Sequence, residues 1–159
     1  MKIGDAVAED APPACALIRL TQIVGVLPDG FETLRLEARA EGYRFVERLA
    51  DDWAAGSVRF DQDGEALLAA YVGAELAAIG GLTLDPAIPD ALRMRRFYVR
   101  QRYRRCGIGR RLVAALLERA VQAGRTVMVN AAPGSAPFWE ALGFVPDERD
   151  GHTHMLKRG

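Results

Sequence analysis

The 159-residue sequence is poor in the residues that staple or anchor unusual folds. It holds two cysteines, Cys15 and Cys106, and two histidines, His152 and His154, in no ligand-like spacing. That excludes a disulfide framework and a structural zinc site. The two thiols are expected to be free, as in a reducing cytoplasm. No run approaches the roughly 18 apolar residues of a spanning helix, so a membrane partner is not expected. Met1-Lys2-Ile3-Gly4-Asp5 lacks the basic-then-apolar order of a secretory signal. No internal repeat or linker interrupts the chain. With 50% hydrophobic and 26% charged residues, the composition is that of a folded protein. The length suits one domain over residues 1–159, large enough to bury a core without staples.

The formal charge is zero, but it is unevenly distributed. Residues 1–92 carry 7 basic and 16 acidic side chains, residues 93–111 carry nine arginines and no acid, and residues 112–159 carry five of each sign. All excess positive charge therefore falls within one short segment. A charge run usually marks a solvated face. Here glycines interrupt it at the start of a helix pattern, which points instead to an anion site.

Apolar periodicity maps the rest. Residues 15–21 read as a first strand. A helical region follows Pro28-Asp29-Gly30, and Gly42 divides it into two helices. In the second, Tyr43, Val46, Leu49, Ala50 and Trp53 form a buried stripe, and Ala55-Gly56 ends it. Residues 66–72 and 76–84, joined through Gly73-Ala74-Glu75, read as a hairpin. Residues 92–99 read as a strand, followed by an amphipathic helix from Ile108 that Gly124 caps. Residues 126–130 form a short strand, 135–142 a short helix, and 152–156 a last strand.

The chemistry concentrates at Arg104-Arg105-Cys106-Gly107-Ile108-Gly109-Arg110-Arg111, between a strand and a helix. A helix start exposes backbone N–H groups without partners, at the positive end of the peptide dipoles. Glycines let a ligand approach that main chain. Such a turn suits phosphate or pyrophosphate, and Arg104 and Arg105 can add charge-assisted hydrogen bonds. The chain has no G-x-x-x-x-G-K-[ST] loop and no G-x-G-x-x-G with a downstream acid. A pyrophosphate held by main-chain amides remains.

In these residues the sequence resembles the GNAT superfamily of N-acetyltransferases. Arg104-Arg105-Cys106-Gly107-Ile108-Gly109 fits that family's Gln/Arg-x-x-Gly-x-Gly/Ala acyl-CoA signature. Arg96-Phe97-Tyr98-Val99-Arg100 is similar to its fourth strand, Pro137–Phe144 to its Phe-Tyr-x-x-x-Gly-Phe segment, and His154-Met155-Leu156-Lys157 to its closing strand. The resemblance is strong from about Leu67 to Lys157 and weak before that. It implies an α/β (α+β) fold with a mixed, mostly antiparallel sheet of six to seven strands, flanked by helices and splayed between the fourth and fifth strands.

The resemblance also implies acetyl-CoA as acyl donor, with no metal. Backbone amides of Arg105, Cys106, Gly107, Ile108, Gly109 and Arg110 are expected to hold the pyrophosphate. Main-chain groups of Phe97, Tyr98 and Val99 are expected to pair with the pantetheine arm. Asn130 is read either as a further hydrogen-bonding partner of that arm or as a turn residue.

The implied activity is transfer of the acetyl group to a primary amine in a ternary complex, with a small-molecule or protein amine as acceptor. A backbone N–H of Tyr98 or Val99 is the candidate for polarising the thioester carbonyl. The family's tyrosine acid is replaced by Trp139, whose indole N–H does not titrate at neutral pH; Trp139 is read as packing for the CoA arm. A thiol pKa of about 8.5 makes direct thiolate departure tolerable. Ser135 could bond the sulfur or simply start a helix, and His154 and His152 could take a proton near pH 7. The family's strand glutamate has no counterpart beside Arg93 and Arg95. Asp51, Asp52 and Glu47 mildly favour a cationic acceptor. The alternative is a weakened CoA-binding sensor of the same fold. A nucleic-acid partner is not expected, since the chain has no such motif and is otherwise acidic; a homodimer is compatible with the reading.

Overall fold

The computed structural model describes residues 17–149 and 151–156. Seven strands and four helices follow the order β1 (Ile18–Gln22), α1 (Phe31–Ala40), α2 (Phe45–Ala55), β2 (Ala66–Val72), β3 (Glu75–Leu84), β4 (Ala91–Val99), α3 (Ile108–Ala123), β5 (Thr126–Val129), α4 (Ala136–Ala141), β6 (Val145–Arg149) and β7 (His152–Leu156). The sheet order is β1-β2-β3-β4-β5-β7-β6. Every neighbouring pair is antiparallel except β4 and β5. Among the described residues no helix is long and apolar enough to cross a membrane.

Alternation along β2 builds both faces, as the two-residue period of a strand requires. Ala66, Leu68 and Ala70 join Leu112, Leu116, Trp139 and Phe144 in one core; Leu67 and Ala69 join Leu34, Leu49 and Trp53 in the other. Helix α3 thus covers one face, and the pair α1–α2 covers the other. The glycine division at Gly42 appears as expected, and Gly124 closes α3 in the left-handed conformation. The first strand begins at Ile18; Cys15 and Ala16 lie outside the described residues. Cys106 is disulfide-bonded. That corrects the free-thiol expectation for Cys106 and removes the thiol argument for a reducing compartment. The sequence reading also missed β6, an exposed edge strand.

Two irregularities in β4 create the site. Ile79 pairs with Tyr98 and Gly81 with Arg95, so two steps along β3 oppose three along β4. Arg96 occupies this bulge with φ 61. Gly80 lies opposite, where a Cβ would stand 2.7 Å from the Phe97 ring, so the aromatic side chain can lie down on the sheet only over glycine. On its other side β4 pairs with β5 only from Ala91↔Thr126 to Met94↔Val129. The two strands then part, leaving residues 95–99 without a partner on that edge.

Candidate functional site

The parting of β4 and β5 opens a cleft of about 1060 Å³. Its floor is β4 from Arg93 to Val99. One wall is the turn into α3 (Arg104, Arg105, Gly107, Ile108, Gly109 and Arg110), and the other runs from Val129 through Asn130 to Ser135, Phe138 and Trp139. The entrance to α2, with Tyr43, Arg44, Phe45 and Arg48, closes the far end. Nearly all the residues singled out from the sequence therefore meet in one place. Cys106 sits on the same turn but does not line the cleft. His154 does not line it either.

At the α3 turn, Gly107 caps the helix with φ 82, and no side chain caps it. The first intrahelical donor is Arg111, to the Gly107 carbonyl at 3.0 Å. The N–H groups of Ile108, Gly109 and Arg110 are therefore left for a ligand. Arg105 precedes them at φ 66. At Gly107 a Cβ would meet nothing within 4 Å, whereas at Gly109 it would lie 3.3 Å from Phe138 and 3.6 Å from Val99. Gly107 serves the left-handed turn; Gly109 keeps the gap between helix, strand and Phe138 open.

Arg104 is committed elsewhere than the sequence suggested. Its Nε donates to the Val99 carbonyl at 2.8 Å, and its Nη2 meets Glu41 at 2.6 Å. Burial pulls its pKa down, but the Glu41 partner outweighs that and holds it above the ordinary value. It therefore ties the turn to the end of α1. Arg105 and Arg110 are exposed and carry no ion pair among the described residues.

Trp139 packs edge-on against Phe97 at 5.4 Å, Phe138 at 5.0 Å and Phe144 at 5.3 Å between ring centroids. It is 5% exposed, which suits packing of the cleft wall. Ser135 lines the cleft, but its hydroxyl donates to the Ala132 carbonyl at 2.8 Å. Asn130 is exposed at the end of β5, with no hydrogen-bond partner for its side chain among the described residues. His154 is buried, with Nε2 2.9 Å from Glu140 and Nδ1 2.7 Å from Thr153. His152 is buried with Nε2 2.8 Å from Asp85 Oδ2. Both histidines belong to the β7 packing.

The sequence reading missed the far end of the cleft. Arg93, Arg95 and Arg96 on β4 face Tyr43, Phe45 and Arg48 from the α2 entrance. Burial, then the neighbouring charges of Arg96 and Arg93, push the Arg95 pKa down to about 10. Burial likewise lowers that of Arg96, opposed by its Asp52 hydrogen bond. Burial, then the neighbouring charge of Glu41, pushes the Tyr98 phenol up to about 12. The cleft wall holds eight arginines and no Asp, Glu or His. Among the described residues no cluster of His, Cys, Asp or Glu could hold a metal ion.

The chain matches the family description "Acetyltransferase (GNAT) domain" over residues 30–157. Its fold is similar to that of a protein from Exiguobacterium sp. 255-15 described as a putative acetyltransferase: TM-score 0.80 at 24% identity, over 88% of this chain and 93% of that one. It is also similar to the PaiA N-acetyltransferase from Thermoplasma acidophilum, solved in complex with coenzyme A. There the TM-score is 0.63 at 17% identity, over 87% of this chain and 96% of that one. No curated protein matches the sequence.

Proposed function

Since the chain belongs to the GNAT acetyltransferase family, we propose that it acts as a single domain moving the acetyl group of acetyl-CoA to a primary amine. Attack is direct, in a ternary complex. The observation that carries this reading is the uncapped start of α3, with the amides of Ile108, Gly109 and Arg110 in the wall of the cleft that also bares residues 95–99 of β4. A diphosphate suits those donors. The amides of Arg105, Cys106 and Gly107 complete the cradle, and the Arg105 and Arg110 side chains add charge. Arg104 contributes by holding the turn rather than by touching the ligand.

The main chain of Phe97, Tyr98 and Val99 pairs with the extended pantetheine arm along the edge that β5 leaves bare, with Asn130 on the opposite side. Acetyl-CoA supplies a thioester-activated acetyl group. The N–H of Tyr98 or Val99 stabilises the negative charge that develops on its oxygen, the usual service of oriented donors. Trp139 walls the arm. Ser135 can turn its hydroxyl from Ala132 towards the sulfur.

The acceptor amine must lose its proton, and the wall offers no carboxylate or imidazole to take it. The arginines do this work through their field. Like charge nearby disfavours an ammonium ion and lowers its pKa from roughly 10, so the neutral amine forms and its proton leaves to water. The same field favours departure of the thiolate, which takes up the second proton that the attacking nitrogen sheds as the amide forms.

Release of CoA thiol from acetyl-CoA over a panel of amines tests the reading. Amine-dependent release at catalytic rates is expected, and none on any amine contradicts it. A CoA-binding sensor is the second reading. The lack of an acid or imidazole in the cleft favours it, and tight acetyl-CoA binding without turnover would support it. We propose the cytoplasm as the place where it acts.

A further inference from the structure

Of the acids that favoured a cationic acceptor, Glu47 and Asp52 are engaged within the chain, as are Glu37 and Glu41 near them. Glu37 meets Arg100 at 2.7 Å, Glu41 meets Arg104 at 2.6 Å, Glu47 meets Arg39 at 3.1 Å, and Asp52 meets Arg96 at 3.0 Å. Asp51 is exposed on α2 and does not line the cleft. The arginines at the far end are in the opposite condition. Arg48, Arg93 and Arg95 line the cleft, and among the described residues none of their side chains has a hydrogen bond or ion pair. Arg93 and Arg95 are half-buried. Removing a guanidinium from water is costly unless a counter-charge meets it. Around Arg95 stand Arg93 and Arg96, while the nearby carboxylates are engaged elsewhere, Asp52 with Arg96 and Glu65 with the backbone N–H groups of Gln62 and Leu84.

Such an arrangement is built for an anion that arrives with the ligand. We infer that the acceptor is a primary amine that also bears a carboxylate or phosphate, seated against Arg48, Arg93 and Arg95, with its apolar body against the packed rings of Tyr43 and Phe45. This rests on the acyl-transfer reading and names the substrate class for it. The anion anchors the molecule by charge-assisted hydrogen bonds to guanidinium forks, while the same charges keep its amine neutral. A polyamine or any other polycation meets only repulsion there.

Matched amines test the inference. Thiol release from acetyl-CoA is compared for L-phenylalanine against 2-phenylethylamine, and for O-phosphoethanolamine against ethanolamine, with spermidine as the cationic control. The first pair reports a carboxylate, and the second a phosphate. At least one member bearing an acid group should exceed its counterpart without one tenfold or more in kcat/KM. Arg95→Met should abolish that preference through KM while acetyl-CoA affinity, measured by calorimetry, stays the same. Arg48→Met, an exposed position, makes the same test should Arg95→Met fail to fold. If no such member outpaces its counterpart, or spermidine is preferred, the acceptor class is wrong while acyl transfer stands. If acetyl-CoA itself does not bind, the underlying reading falls with it.

Discussion

Asp52 on α2 accepts a hydrogen bond from Arg96 Nη2 at 3.0 Å, and Arg96 is the residue held at φ 61 in the β4 bulge. A helix carboxylate thereby fastens the irregularity that sets the register of Phe97 and Tyr98. Positive φ is costly for a side chain as large as arginine, so the bulge relies on this partner. Asp52→Ala leaves a half-buried guanidinium unpaired. A loss of about 1–3 kcal/mol in urea unfolding is expected, with turnover falling as the main chain of β4 relaxes. Wild-type stability and turnover would contradict this role.

Gly109 faces Phe138 at 3.3 Å and Val99 at 3.6 Å from its would-be Cβ, so any side chain there enters the cleft. Gly109→Arg is expected to abolish acetyl-CoA binding in calorimetry while the melting transition persists. Unchanged affinity with an intact transition would remove Gly109 from the site.

Trp139 lies among Phe97, Phe138 and Phe144 as a packing element. Trp139→Phe is expected to lower turnover less than about tenfold and to cost about 1–3 kcal/mol of stability. A loss beyond roughly a hundredfold, within the range of general-acid catalysis, at native stability would show that the indole acts on the chemistry.

The buried Tyr98 phenol, pushed up to about 12 from 10.0, makes stability depend on alkaline pH. A folded-state pKa above the unfolded value gives stability that is complete below pH 10 and lost as pH rises towards 12. Tyr98→Phe is expected to remove up to about 2 kcal/mol of that loss, followed by urea unfolding at pH 8 and across that window. Parallel pH profiles for the two proteins would contradict the assignment.

Most of the fold was legible because glycines and periodicity mark it. Gly42 separates α1 from α2 and Gly124 ends α3; of the expected stripe Val46, Leu49 and Trp53 are buried, whereas Ala50 is half-buried and Tyr43 precedes the helix. Strand β6 was not legible. Val145-Pro146-Asp147-Glu148-Arg149 is an exposed edge with a proline and no apolar alternation, so only its pairing with β7 defines it. The α3 turn was legible from its glycines.

The arginine run was read as one anion site, and the structure divides it. Arg100 and Arg104 pair with Glu37 and Glu41, each 63 residues earlier. Arg105 and Arg110 stand at the α3 turn, and Arg93, Arg95 and Arg96 face α2. Partners so distant in sequence leave no local pattern. The one available signal was the alternation of Arg93 and Arg95 with the buried Leu92 and Met94, which puts both arginines on one face.

The central claim is that the first amides of α3 receive the donor's diphosphate. The direct measurement is a backbone-amide NMR titration of the protein with coenzyme A. The amides of Ile108, Gly109 and Arg110 should show the largest shifts, saturating together with those of Phe97 to Val99. Binding that leaves these three amides unmoved would contradict the claim.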